Sequence, residues 1–467
     1  MTDKEQPSLG EFGASFKGFL DQMAAQAPTE EPIFLTRLRA HFSAEPSAFP
    51  IVAEEFEPSD HPNVQRALDG YLAERRCSME LLGITGDQMF AYGGGSLAQL
   101  IRPAGSGMFG GQAATQGPVQ YVNIPLEDEH VIACVQCGLY LIAEEGRSLA
   151  VLVNRPSDMG FSRKVKVEAM ATDRARAEGF LAELRLLIRQ RNVYRSRVLS
   201  LSTDQREGTR IQFHRLPTIA PDAIILPEGL LARIERQTIG FSKHSKQLAT
   251  MHRHLKRGLL LHGPPGTGKT LTAMYLASRM PGRTVLLLTG RGMGLIEQSC
   301  AMARLLQPAI VVLEDVDLIA EERTREGACS AVLFELLNQM DGLSDDADIL
   351  FLLTTNRPDI LEPALASRPG RIDQAIEVPL PDAECRRRLI DLYGRGLTMR
   401  AAKLDDYVAR TAGASAAFIR ELLRKAALFA TDDALDAPVV EDRHIDEALH
   451  ELIVAGGDLT KSLLGVR

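Results

Sequence analysis

The chain has 467 residues, of which 45% are hydrophobic, and it carries a formal net charge of -8. This length allows two or three domains, each with its own buried core. The acidic balance argues against a large nucleic-acid interface, which needs clustered lysine and arginine. The sequence shows no secretory signal, no apolar run long enough to span a bilayer and no disulfide pattern among its six cysteines. We expect a cytoplasmic protein that binds neither membrane nor nucleic acid.

The first 221 residues are predicted to form a tail and a separate α+β domain. Residues 1–30 are polar and contain Gly and Pro, which predicts a flexible tail. In residues 31–221, helical periodicity occurs at Ile33 to Phe42, Val64 to Leu72 and Asp173 to Arg191, and strand-like runs at Val119 to Ile124, Val131 to Ile142, Leu149 to Val153 and Val165 to Val167. The Gly-rich stretch from Tyr92 to Gly117 predicts an exposed loop. We assign partner or substrate recognition to this domain.

After residue 221 the pattern changes to fully apolar runs separated by helical segments. The runs are Leu259 to Leu261, Val285 to Leu288, Ile310 to Leu313 and Ile349 to Leu353. Such runs are typical of parallel strands covered by helices on both faces. We predict an α/β nucleotide-binding subdomain with a parallel sheet over residues 222–378 and a helical lid subdomain over residues 379–467. Lid helices are predicted at Ala383 to Tyr393, Ser415 to Thr431 and Glu441 to Leu452.

A glycine-rich loop directly follows the first apolar run. It fits the pattern G-x-x-x-x-G-K-T and consists of Gly263, Pro264, Pro265, Gly266, Thr267, Gly268, Lys269 and Thr270. The backbone N–H groups of such a loop wrap phosphates, its lysine reaches the β- and γ-phosphates, and its threonine hydroxyl binds magnesium. The helix that follows adds its positive N-terminal end. The sequence therefore predicts that this loop binds ATP and Mg²⁺.

Acidic residues end the third apolar run. Glu314, Asp315 and Asp317 directly follow Leu313. Paired carboxylates beside a phosphate-binding loop can support a magnesium ion and polarise an attacking water. We therefore expect Glu314 and Asp315 to be catalytic residues.

Two later features complete a candidate catalytic set. Asn356 ends the fourth apolar run, where its amide could orient water, although an asparagine at a strand end is often only a turn residue. Arg368 and Arg371 lie on a predicted turn. Guanidinium groups can stabilise a transferring phosphoryl group, but arginines in a turn are also common surface residues.

Together, in this order, these segments resemble the AAA family of ATPases. The resemblance covers about residues 258–382, in which GPPGTGKT, the acidic strand end, TTNRPD, and LEPALASRPGRID followed by VPLPD are similar to the Walker A, Walker B, sensor 1 and arginine-finger motifs. It implies an ATPase that assembles into a ring, usually a hexamer, in which Arg368 and Arg371 act on the ATP of a neighbouring subunit. In the family register, Glu314 supports magnesium and Asp315 activates water.

The chain departs from the family pattern at its acidic pair and at its first pore-loop segment, and the lid position of a sensor-2 residue differs from that of other clades. The acidic pair has the order Glu314–Asp315 and not Asp-Glu, an order that also occurs in the mitochondrial AAA translocase that exports a folded Rieske iron-sulfur protein. Ala417 stands where other clades place a sensor-2 arginine. The first pore-loop segment, residues 289–295, contains no aromatic residue. Arg291 and Met293 could face a pore, but a glycine turn that leads into a helix is the favoured interpretation, so threading of unfolded polypeptide is not predicted.

Three further patterns have plainer interpretations. His450 and Glu451 begin an H-E-x-x-H motif that Val454 interrupts, so no fused metalloprotease is predicted. Cys134 and Cys137 form an isolated C-x-x-C, which we interpret as buried structural cysteines. The arginines between residues 174 and 197 could bind an anionic partner, but the apolar residues between them favour an amphipathic helix with a solvated face.

Two functions fit these observations. The first is a ring-forming ATPase that remodels a protein complex or folded substrate recognised through residues 31–221. The alternative is an assembly scaffold that is switched by nucleotide, turns over slowly and recruits a partner through the same domain.

Overall fold

The structure is a computed structural model. It describes residues 10, 13–18, 31–75, 77–86, 90, 95–102, 114–127, 130–144, 146–155, 164–204, 208–289, 294–317, 331–342, 344, 346–359, 361, 372–433 and 438–455. Main-chain contacts divide the chain into two compact units, residues 1–193 with 204–208, and residues 194–203 with 209–467. The predicted tail, residues 1–30, lies outside the described residues except for helical residues 10 and 13–18.

The first unit is built on an antiparallel sheet. Its strands are β1 (Ile51–Phe56), β2 (Cys77–Thr85), β3 (Thr115–Gly117), β4 (Gln120–Glu127), β5 (His130–Glu144), β6 (Arg147–Asn154) and β7 (Val165–Ala171). Its helices are α1 (Ile33–Phe42), α2 (His61–Glu74), α3 (Leu97–Leu100) and α4 (Arg174–Gln190), with short 3₁₀ turns at Pro46–Ala48 and Pro58–Asp60. The strand order is β1-β7-β6-β5-β2-β3, and β4 pairs with β5.

The two faces of this sheet carry separate apolar cores. Along β6, Leu149, Val151 and Val153 contribute to a core that includes α2 and α4. The alternate residues Ala150 and Leu152 contribute to a second core that includes α1 and α3. This division follows from the two-residue period of a strand, in which successive side chains point to opposite faces. The segment that was predicted to be an exposed Gly-rich loop, Tyr92 to Gly117, contains the short helix α3 and the strand β3.

The arginine-rich segment is an amphipathic helix, as predicted. α4 buries Phe180, Leu181 and Leu184 among other apolar residues. Arg176, beside this apolar face, is largely buried and pairs with Glu144 at 2.5 Å, whereas Arg185 is exposed and pairs with Glu54 at 2.8 Å. Arg174 and Arg189 are exposed as well, which supports the interpretation of a solvated polar face.

The second unit contains a second sheet and a group of helices. Its strands are β8 (Val198–Asp204), β9 (Gly208–His214), β10 (Arg257–His262), β11 (Thr284–Leu288), β12 (Ala309–Leu313), β13 (Ile349–Thr355) and β14 (Gln374–Glu377). The helices up to the end of this sheet are α5 (Leu230–Glu235), α6 (Phe241–Lys243), α7 (Ser245–Thr250), α8 (Lys269–Ser278), α9 (Ile296–Leu305) and α10 (Ala331–Asp341), with a 3₁₀ turn at Pro221–Ala223 and a π-helical turn at Arg236–Gly240.

The strand order of this sheet is β14-β10-β13-β12-β11-β8-β9, and the pairs from β14 to β8 are parallel. Every residue of β12 and β13 is buried. Fully buried strands of this kind are typical of parallel sheets with both faces covered. The predicted fold class, α/β with a parallel P-loop sheet, is confirmed.

The boundary between the two units differs from the predicted one. We expected the first domain to extend to residue 221, but β8 pairs in parallel with β11, with Val198 opposite Val285. Leu199 and Leu201 of β8 are buried. The segment from residue 194 therefore belongs with the second unit except for residues 204–208.

A small helical subdomain ends the described chain. It comprises α11 (Ala383–Tyr393), α12 (Leu404–Arg410), α13 (Ala416–Asp433) and α14 (Asp442–His450), a π-helical turn at Glu451–Ala455, and the two-stranded sheet of β15 (Thr398–Arg400) and β16 (Val439–Glu441). Its apolar core is built mainly from one face of each helix. α11, α13 and α14 lie where helices were predicted, whereas α12 and the two short strands were not predicted. Among the helices that the structure describes, none has the length and apolar character that a bilayer crossing requires.

Candidate nucleotide-binding site

The predicted site residues follow three neighbouring parallel strands. β10 leads into the loop at residues 263–270, β12 leads into Glu314, and β13 leads into Asn356. β13 lies between the other two strands, with Leu261 opposite Thr354 and Leu313 opposite Leu353. The carboxyl ends of parallel strands meet at one edge of a sheet, where open α/β folds bind their ligands.

The phosphate-binding loop depends on glycine at its first position. Gly263 has a φ of 144°, which L-residues rarely adopt. A Cβ atom there would overlap the carbonyl oxygen of Val378 and lie 3.1 Å from its carbonyl carbon. The backbone of Val378 is fixed at this place because its N–H donates to the carbonyl of His262 at 2.7 Å. The chain that leaves β14 thus packs directly on the start of the loop.

The lysine of the loop is held inside it. Lys269 is 5% exposed, and its Nζ donates to the carbonyl oxygens of Gly263 at 2.9 Å and Pro264 at 2.7 Å. Burial lowers the Lys269 pKa to about 8, and the carboxylates of Asp315 and Asp317 oppose this shift. An ammonium group has three donors, so one N–H is left for a ligand even in this arrangement.

The helix after the loop offers its N-terminal end to the same space. α8 begins at Lys269, directly after Gly268, and Thr270 at its second position is exposed. The first N–H groups of a helix have no partner within the helix and attract anions. The loop, the lysine and this helix end therefore form one phosphate-binding arrangement.

The acidic residues lie in a partly buried setting. Burial and the neighbouring Asp315 raise the pKa of Glu314. Burial and Asp317 raise the pKa of Asp315, whereas Lys269 and a hydrogen bond from Asn356 lower it. The Glu314 Oε1 atom is buried and has no hydrogen-bond partner among the described residues. A buried carboxylate oxygen of this kind is suited to a ligand that brings positive charge.

The structure brings Asn356 beside Asp315. Asn356 Nδ2 donates to Asp315 Oδ1 at 3.3 Å. The buried Asp317 Oδ1 accepts hydrogen bonds from Thr355 Oγ1 at 2.8 Å and from the N–H of Asn356 at 3.1 Å. These hydrogen bonds link the end of β12 to the end of β13, although the residues that form them are far apart in the sequence. Arg368 and Arg371 lie outside the described residues, as do Arg291 and Met293.

The residues present fit a magnesium ion. Thr270 offers a hydroxyl and Glu314 a carboxylate, and Mg²⁺ prefers such hard oxygen ligands. The partnerless Glu314 Oε1 gives this fit a structural basis. Thr270 and Glu314 are therefore the residues that would hold the ion.

The lid packs against the phosphate-binding loop. The N–H of Ala417 donates to the carbonyl of Gly266 at 3.1 Å. A Cβ atom at Gly266 would lie 2.7 Å from Ser415 Oγ and 2.9 Å from the Ala417 methyl group. Ala417, at the position where other clades have a sensor-2 arginine, thus packs closely on the loop at the start of α13. The motifs TTNRPD and VPLPD contain Thr354 and Val378, but the contacts that these two residues and Ser415 make in the site were not predicted.

The cysteine and histidine patterns that were given plainer interpretations supply none of the contacts described above. Cys134 is buried and Cys137 half-buried on β5, both are free thiols, and burial raises the pKa of each to about 12. His450 is exposed at the end of α14, and Glu451 pairs with Lys425.

A parallel sheet with this loop, acidic pair and amide at one edge defines the class of P-loop nucleotide-binding folds. Residues 259–380 match the family model described as "ATPase family associated with various cellular activities (AAA)". This match covers the same segment as the motifs that resemble the AAA family.

Curated relatives agree with this assignment. Over 200 residues the chain is 34% identical to 26S proteasome regulatory subunit 10B homolog A of Arabidopsis thaliana, which covers 40% of this chain and 50% of the relative. It is 34% identical over 219 residues to proteasome-activating nucleotidase 2 of Halobacterium salinarum, covering 44% and 52%. It is 32% identical over 236 residues to ATPase family gene 2 protein homolog A of Homo sapiens, covering 48% and 26%. The chain thus spans about half the length of these relatives or less.

Proposed function

We propose that this protein hydrolyses ATP and uses the reaction to remodel a protein substrate or complex. The observation that carries the proposal is the pairing of Asp315 with Asn356 at 3.3 Å, at the sheet edge that also holds the phosphate-binding loop. A carboxylate beside an amide can polarise and orient a water molecule for attack on a phosphoryl group. The AAA domain and the named relatives support the same reaction class.

Each residue has a distinct part in the proposed reaction. Residues 263–270 bind the phosphates through backbone N–H groups, and Lys269 adds a positive charge at the β- and γ-phosphates. Asp315 polarises the water, and Asn356 orients it. Thr270 and Glu314 hold Mg²⁺, which when bound neutralises charge on the phosphate oxygens.

The proposed active enzyme is a ring, most simply a hexamer, in the cytoplasm. Arg368 and Arg371 of one subunit stabilise the transferring phosphoryl group at the neighbouring subunit's site. An arginine in this position is worth about 10³- to 10⁵-fold in turnover. The printed names of two relatives, a proteasome regulatory subunit and a proteasome-activating nucleotidase, associate them with a protein-degrading machine and support a protein client here.

The client is proposed to bind the first unit, within residues 31–193, and the sequence predicted no binding of nucleic acid or membrane. A nucleotide-switched scaffold is the second candidate. It is favoured by the one-methylene-shorter carboxylate at Asp315, the position where the family usually has glutamate, because a shorter side chain reaches less far towards the water.

Steady-state phosphate release tests the proposal and separates the two functions. We expect the wild type to hydrolyse ATP continuously, Asp315→Asn to bind ATP but lose turnover, and Glu314→Gln to need more magnesium. Asp391→Asn, on the exposed face of α11, is the matched control and should behave as the wild type. Turnover by Asp315→Asn equal to that of the wild type would exclude Asp315 as the water-activating residue.

The same variant identifies the client. A ring of Asp315→Asn loaded with ATP should retain client protein during affinity purification, and turnover of the wild type should rise when that client is added. A slow wild-type rate that does not respond to the retained protein would favour the scaffold.

A further inference from the structure

Asp315 has an unusual backbone conformation. Its φ is 48°, in the left-handed region that most residues other than glycine avoid. Aspartate and asparagine tolerate this region better than longer side chains, because their short polar groups bond locally. Aspartate at position 315, in place of the glutamate usual for the family, therefore suits the backbone that the structure has there.

A neighbouring hydroxyl holds this conformation. The ladder between β12 and β13 ends with Leu313 opposite Leu353, so the N–H of Asp315 lies beyond the regular pairing. This N–H donates to Thr354 Oγ1 at 3.0 Å, and Thr354 is fully buried at the end of β13. A buried N–H without a partner is costly, so the hydroxyl favours this conformation over its alternatives.

We propose that Thr354 is a positioning residue for Asp315. Its hydroxyl holds the left-handed turn from which the short Asp315 carboxylate reaches Asn356 and the attacking water. The inference rests on the proposed function, in which Asp315 polarises that water. It explains how an aspartate can take the role that a longer glutamate usually has.

The same sheet contains a matched arrangement far from the site. Thr284, at the start of β11, is also fully buried, and its Oγ1 accepts the N–H of Ser196 at 3.0 Å. Ser196 has a φ of 59°. Thr284 thus supports a left-handed residue in the same way as Thr354, but at the opposite end of the parallel strands.

The test compares Thr354→Val, which keeps the side-chain shape and removes the hydroxyl, with Thr284→Val. We expect Thr354→Val to lower kcat by about 10- to 100-fold, the effect of a buried donor left without a partner, and to leave the KM for ATP within about twofold. Thr354→Ser keeps the hydroxyl and should recover most of the lost kcat. Thr284→Val also removes the hydrogen bond that Thr284 Oγ1 donates to the carbonyl of Leu306, so it should lower the melting temperature at least as much and leave kcat within about twofold of the wild type.

The possible outcomes have different consequences. Equal kcat for Thr354→Val and the wild type, or an equal loss of kcat in Thr284→Val, overturns the positioning role. If Thr354→Val does not fold, Thr354→Ala is measured under the same criteria. Asp315→Asn distinguishes the proposed catalytic role of Asp315 from this inference: normal turnover in that variant excludes Asp315 as the water-activating residue and removes the basis of the inference. Lost turnover in Asp315→Asn with normal kcat in Thr354→Val refutes the inference alone.

Discussion

Replacing Gly263 by alanine tests whether the chain that leaves β14 fixes the phosphate-binding loop. The new Cβ would overlap the carbonyl oxygen of Val378 and lie 3.1 Å from its carbonyl carbon. Val378 cannot move away easily, because its N–H is bonded to the carbonyl of His262 at 2.7 Å. We therefore expect the loop itself to shift.

The size of the effect follows from two contributions. A side chain at a φ of 144° strains the backbone by about 1–3 kcal/mol. Overpacking against a fixed neighbour adds about 1–3 kcal/mol. Gly282→Ala provides the matched control, since its φ is 85° and a Cβ there would have no atom within 4 Å. The Gly282→Ala variant therefore has the backbone strain without the steric overlap, and residue 282 lies outside the phosphate-binding loop.

The assay is titration with a fluorescent ATP analogue, alongside urea unfolding of both variants. Gly263→Ala should bind the analogue at least tenfold more weakly than the wild type, because each 1.4 kcal/mol of binding free energy lost through distortion of the loop lowers the affinity tenfold. Gly282→Ala should lose about 1–2 kcal/mol of unfolding free energy and should bind the analogue as tightly as the wild type. Equal affinity and equal stability in the two variants would refute the steric reasoning.

Three further predictions concern catalysis, assembly and stability. Asp315→Glu should lower kcat several-fold, because glutamate tolerates a φ of 48° less well; an unchanged or higher kcat would show that side-chain length matters more than backbone fit. Arg368→Ala and Arg371→Ala should bind ATP and lose hydrolysis, and mixing either with Lys269→Ala should restore part of it; no recovery at any ratio would argue against a shared site. Burial lowers the His61 pKa from 6.5 to about 4, so the unfolded chain binds this proton first. Stability should therefore fall by about 3 kcal/mol as the pH drops from 6.5 to 4, and urea unfolding of His61→Gln should show a smaller fall, whereas an identical fall would contradict the buried neutral state.

Local periodicity predicted those elements whose burial is decided by their own sequence. The bounds of α1 and α11 agree with the prediction because each helix has a clear apolar face. The apolar runs of β10 to β13 were predicted for the same reason. β8 was not predicted because its partner strand, β11, is distant in the sequence, and parallel pairing between distant strands produces no local sequence pattern. β1 was missed as well, since Glu54 and Glu55 interrupt its apolar pattern.

The site was predictable where spacing alone carries the chemistry. The loop at residues 263–270 and the acidic pair were found from their position after apolar strands. The left-handed backbone of Asp315 and its bond to Thr354 were not, because a dihedral angle depends on contacts between strands that meet only in the fold. The family register taken alone favours glutamate at position 315, the usual residue there, whereas the left-handed backbone of Asp315 leads to the opposite expectation.

Nucleotide titration of Lys269→Ala shows whether the loop at residues 263–270 binds ATP. Lys256→Ala is the matched control. Lys256 directly precedes β10, is half-buried and donates a hydrogen bond to the carbonyl of Met340 at 3.0 Å. Charged hydrogen bonds contribute about 1.5–3 kcal/mol each, so Lys269→Ala should bind ATP at least about 100-fold more weakly than the wild type, with Lys256→Ala close to normal. Unchanged ATP affinity in a folded Lys269→Ala protein would contradict the assignment of this loop as the phosphate-binding site.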